Sequence, residues 1–121
     1  MKELDTLIGL KWGEVDCLSL AIKAQAVLFH RQLHIEEPMN WCEADIQERS
    51  EVIAQFIDKY AEQITAPEEG AVALIRSLGY VHLATFIDKC HILTIRKNGK
   101  SEVVRYTEPF KRLTKQIYRW R

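Results

Sequence analysis

The sequence predicts an α+β domain, with helices first and an antiparallel sheet of about five strands second. Three observations carry this. Apolar residues recur three and four apart through the first half of the chain. After Gly70 the texture changes to short β-branched and aromatic runs. Asn98-Gly99, set between two such runs, is a hairpin turn signal. With 121 residues and 47% hydrophobic side chains, residues 1–121 suffice for one core and one domain.

The first helix opens at Asp16. Cys17, Leu20, Ala21, Ala24, Val27 and Leu28 share one face, and the periodicity breaks only around Leu33. The Asp16 carboxylate is a good N-cap, because it can accept a hydrogen bond from an otherwise unpaired N–H of the first turn. His34 to Trp41 then reads as an irregular connection. A second helix, starting near Ala44 and running to Ile64, is marked by Ile46, Val52, Ile53, Phe56, Ile57, Tyr60 and Ile64, and its apolar stripe reads as core. Pro67 and Gly70 end it.

Strands are predicted at 71–75, 83–87, 91–95 and 102–106 as a meander, with a short last strand at 116–120. In that last segment Lys115, Arg119 and Arg121 alternate with Tyr118 and Trp120. This pattern reads as an edge strand guarded by charge and not as a nucleic-acid surface.

Seventeen basic residues balance seventeen acidic ones, which argues against a polyanion binder held by net charge. The balance hides net charges of 0 over residues 1–35, −8 over 36–69 and +8 over 71–121, and the simplest account is attraction between the two outer blocks within one fold. No 18-residue apolar run is present, and Met1-Lys2-Glu3-Leu4-Asp5 is not the start of a signal peptide. No membrane partner is therefore expected, and the cytoplasm or a virion is the expected location. Cys17, Cys42 and Cys90 form no C-x-x-C pair and no metal-ligand spacing, so neither a metal nor another cofactor is expected.

Cys17 falls in the first turn of a helix, where the positive end of the helix dipole stabilises a thiolate. A buried free cysteine also serves as a small hydrophobe, so the chemical reading needs a base. His30 and His34 lie at the far end of that helix and cannot reach back. His82 opens a strand, from which an imidazole can project toward a helix N-terminus packed beside the sheet.

At these residues the chain resembles the NlpC-type papain-like cysteine peptidases of bacterial cell walls, especially their compact phage-tail members. Trp12-Gly13-Glu14-Val15-Asp16-Cys17-Leu18-Ser19-Leu20 is similar to the family's nucleophile motif. Phe29 to Pro38 resembles the end of the nucleophile helix. Pro67-Glu68-Glu69-Gly70-Ala71-Val72-Ala73-Leu74 resembles the strand entry, and Val81-His82-Leu83-Ala84-Thr85-Phe86-Ile87 the histidine strand. Phe110-Lys111-Arg112 to Arg119-Trp120-Arg121 resembles the closing aromatic and basic strand.

The resemblance implies a papain-like fold and hydrolysis of short peptidoglycan peptides, with Cys17 as nucleophile and His82 as its partner. Phage-tail proteins are the other partners it implies. Twelve positions on from His82, where the family places a polar orienting residue, stands Thr94. The family's upstream tyrosine is replaced by Trp12, whose indole N–H would face the oxyanion, and Ala71 and Ala84 replace an aspartate and a glycine. These departures leave open an alternative, a papain-like tail module that binds without turnover.

Strand register decides the third residue. A three-residue turn Asp88-Lys89-Cys90 pairs Ile87 with His91 and Ala84 with Thr94, which puts Thr94 on the His82 face. A two-residue turn would put His91 there instead. The first is favoured, because the threonine hydroxyl can accept the imidazole N–H.

Overall fold

The computed structural model describes residues 2–33, 46–77 and 80–121. The expected connection from His34 to Trp41, together with Cys42, lies outside the described residues. A short helix α1 (Lys2–Asp5) precedes α2 (Cys17–Leu28) and α3 (Ile46–Tyr60). There follow β1 (Ala61–Ile64), β2 (Val72–Ser77), β3 (Tyr80–Phe86), β4 (His91–Thr94), β5 (Glu102–Arg105), a one-turn helix α4 (Phe110–Leu113) and β6 (Thr114–Trp120). The class is α+β, with one open sheet of six strands in the order β1-β6-β2-β3-β4-β5, every neighbouring pair antiparallel.

Helix α2 starts where the sequence places it. The Asp16 carboxylate accepts the Ser19 N–H at 2.8 Å, and the Asp16 N–H donates to Ser19 Oγ at 2.9 Å, a reciprocal capping box around Cys17. The helix stops at Leu28, a turn before the expected break at Leu33. His30 takes a left-handed φ of 53°, and the Arg31 N–H turns back onto the Gln25 carbonyl at 2.9 Å.

The second helix is corrected at its far end. Residues 61–64 form β1, not a last helical turn, pairing Ala61 with Trp120 and Ile64 with Ile117. Ile57, Tyr60, Ala61 and Ile64 keep helical spacing, so periodicity alone continues the helix, and the ladder to β6 overrides it. In a strand Ala61 and Ile64 point to opposite faces, and each joins a different core cluster. The same pairing corrects the last strand: β6 is longer than 116–120 and lies between β1 and β2, so it is not an edge. Among its charged side chains, Arg119 binds Glu68 at 2.6 Å and Glu62 at 3.3 Å, joining the basic C-terminal block to the acidic middle block.

The sheet is covered on both faces. One face carries Val72, Val81, Leu83, Leu93 and Trp120 against α2 and against Ile53, Phe56 and Ile57 of α3. The other carries Ala73, Ile75, Ala84, Phe86 and Ile92, with Phe110 and Leu113 of α4 packed on it. The apolar stripe of α3 is thus core in this fold. Among the described residues no helix is long and apolar enough to cross a membrane.

Candidate active site

The segment before α2 is fastened to the loop between β4 and β5. Trp12 N–H donates to the Gly99 carbonyl and Gly9 N–H to the Ser101 carbonyl, both at 2.9 Å, while Ser101 N–H returns to the Leu10 carbonyl at 2.8 Å. The buried Ser101 hydroxyl also donates to the Leu7 carbonyl at 2.6 Å. Asn98 takes the left-handed φ of 64° that its turn requires. The Asn98-Gly99 signal therefore marks a turn inside a longer loop, and that loop holds Trp12 at the mouth of the nucleophile helix.

Residues 81 and 83 of β3 face α2, and 84 and 86 face α4, so alternation puts His82 on the α4 face. β3 pairs with β4 through Thr85 to Leu93 and Phe86 to Ile92. Continued by one step each way, this sets Ala84 opposite Thr94 and Ile87 opposite His91, and the Ile87 N–H does donate to the His91 carbonyl at 2.9 Å. The register is that of the three-residue turn. Thr94 and His82 are then diagonal neighbours on one face, a separation of about 7–8 Å between backbones that an imidazole spans. Their side chains meet, with His82 Nε2 2.7 Å from Thr94 Oγ1.

His91 is placed elsewhere. It binds the Asp88 carboxylate through Nδ1 at 3.0 Å at an exposed turn. The Cys90 backbone N–H and, secondarily, His91 hold the Asp88 carboxyl below its usual range. Cys90 is exposed in that turn, whereas Cys17 is buried at 4% exposure.

Cys17, His82, Thr94 and Trp12 line one cavity of about 430 Å³. Its walls are Ile75 and Val81 on the sheet side and Pro109, Phe110 and Leu113 on the α4 side. Arg96, Lys97 and Glu102 add charge. The elements so assembled are a thiol in the capped first turn of a helix, an imidazole and a buried hydroxyl bonded to it. A cavity of this size, mostly apolar with a few convergent polar groups, suits a small ligand or a short peptide. Among the described residues no three His, Cys, Asp or Glu side chains come together as metal ligands.

Sequence reasoning missed the α4 wall and the three charged residues. A four-residue helix has no periodicity to detect. Glu102 was reachable only through the β4–β5 register, which pairs it with Thr94. No protein-family model matches this sequence, and no curated protein is significantly similar to it, so any functional reading rests on the geometry of this cavity.

Proposed function

We propose that the protein is a papain-like cysteine peptidase or amidase of the NlpC type, hydrolysing short peptides of bacterial peptidoglycan. The observation that carries the reading is the convergence of Cys17, His82 and Thr94 on one cavity from α2, β3 and β4. The capping box supports it by fixing the first turn of α2 around the thiol.

In this reading Thr94 occupies Nε2, so acid–base work falls to Nδ1. The Cys17 thiol gives its proton to Nδ1, and the thiolate attacks the amide carbonyl carbon. The developing oxyanion is met by backbone N–H groups of the first turn of α2 and by the Trp12 indole N–H. Collapse of the tetrahedral intermediate breaks the C–N bond, and the imidazolium delivers its proton to the leaving amine. Water then attacks the thioester, giving its proton to Nδ1, and the acid leaves with the thiol restored.

A phage or prophage tail is the setting that the resemblance favours, with action in the cytoplasm as the other. One observation favours a module that binds without turnover: the group on His82 Nε2 is a neutral hydroxyl, a weaker partner for an imidazolium than a carboxylate. Incubation with purified muropeptides, read by mass spectrometry, separates the readings. The peptidase releases a shortened peptide and Cys17→Ala does not. Unchanged muropeptides with a folded wild-type protein support the binding module.

A further inference from the structure

Thr94 leaves one problem of direction. A threonine hydroxyl has one proton to give and two lone pairs to accept with. If Thr94 donates to His82 Nε2, a neutral imidazole carries its proton on Nδ1 and cannot take one from the thiol. If Thr94 accepts from Nε2–H, Nδ1 presents a lone pair and the base is armed. The geometry of one bond at 2.7 Å is compatible with both, so the tautomer is set by what receives the Thr94 proton.

The residue directly opposite Thr94 on β5 is Glu102, and it lines the same cavity. Directly opposed residues on an antiparallel pair share a face, with Cβ atoms about 4.5–5.5 Å apart, a span that a glutamate side chain crosses. Thr94 itself is buried. The other charges at this cavity are Arg96 and Lys97, which cannot accept a hydrogen bond, and Cys17. Glu102 is therefore the anionic acceptor that the sheet register offers to the threonine.

We propose that Glu102 is a positioning residue that acts through Thr94: its carboxylate receives the Thr94 O–H, which turns the hydroxyl lone pair toward His82 Nε2–H and holds Nδ1 as the base. The proposal rests on the peptidase reading for its purpose, but its geometry can be tested without turnover. The carboxylate also opposes the disfavouring effect of Arg96 and Lys97 on an imidazolium in the same cavity.

The test is ¹⁵N NMR of ring-labelled histidines in a Cys17→Ala background at a pH where His82 is neutral, with His82→Ala used to assign its signals. The Nε2–H tautomer is expected with Glu102 present. Glu102→Ala is expected to move the signals toward Nδ1–H, and Glu102→Gln, which keeps an acceptor oxygen, to restore them. With Thr94→Val added, Glu102→Ala is expected to change nothing more. In the Cys17-containing protein, Glu102→Ala is expected to lower kcat/KM by at least about tenfold, within the range that a positioned general base supplies.

A tautomer indifferent to Glu102→Ala overturns the proposal, and so does an effect of equal size with Thr94→Val. A tautomer that follows Glu102 in a protein that leaves muropeptides intact upholds the positioning role and removes the substrate reading alone.

Discussion

His82 on β3 and Thr94 on β4 are joined Nε2 to Oγ1 at 2.7 Å across a diagonal of the sheet. The bond exists because the turn at residues 88–90 is three residues long, which sets Ala84 opposite Thr94 and leaves His82 one diagonal away. A turn shorter by one residue would send Thr94 to the α2 face.

Thr94→Val keeps the shape of the side chain and removes the hydroxyl. It is expected to cost about 1 kcal/mol of stability, the net worth of one hydrogen bond, and to reduce the reactivity of Cys17 far more than that figure suggests. His91→Ala is expected to leave Cys17 reactivity unchanged, since His91 binds Asp88 away from the cavity. Urea denaturation and thiol alkylation on both variants check this. A protein in which His91→Ala, and not Thr94→Val, slows Cys17 would contradict the register.

Asp16→Ala removes the carboxylate that holds the Ser19 N–H. Loss of an N-cap of this type costs about 1 kcal/mol, and burial of Asp16 at 1% exposure places the change at the base of the nucleophile turn. The urea midpoint is expected to fall with an unchanged slope, and Asp16→Asn, which retains an acceptor oxygen, is expected to recover most of the loss.

The Arg119–Glu68 pair makes a pH prediction of known sign. The hydrogen bond from Arg119, helped by its charge, lowers the Glu68 carboxyl from its ordinary value. A depressed carboxylate contributes stability above its unfolded pKa, and that contribution is lost as pH falls through the folded value. Wild type is therefore expected to exceed Glu68→Gln slightly at neutral pH, with the gap closing in acid and shrinking in high salt. The gap is small because both groups are solvent-exposed. Thermal melts of both proteins across acid pH read it directly.

Much of the site was legible in the sequence because its signals are local. The Asp16 cap and the helix after it follow from spacing and capping chemistry. The 82-to-94 relation follows from strand alternation plus one turn length. What the sequence concealed depends on long-range pairing. Residues 61–64 keep helical spacing and become a strand only because β6 lies beside them. The charged C-terminal strand looks like an edge until β1 covers it. Trp12 reaches the cavity because residues 9–12 pair with the loop after β4, ninety residues on in the chain, and no local pattern announces that contact. The α4 wall escaped because one helical turn carries no period.

The most direct test of a working Cys17–His82 pair is the alkylation rate of each cysteine by iodoacetamide as a function of pH, in wild type and in His82→Ala, with Cys42 and Cys90 as internal controls. The account predicts that Cys17 reacts rapidly well below the pH at which an ordinary thiol ionises, and that His82→Ala abolishes this without changing the controls. A Cys17 that titrates like Cys90, or whose rate is indifferent to His82→Ala, would contradict it.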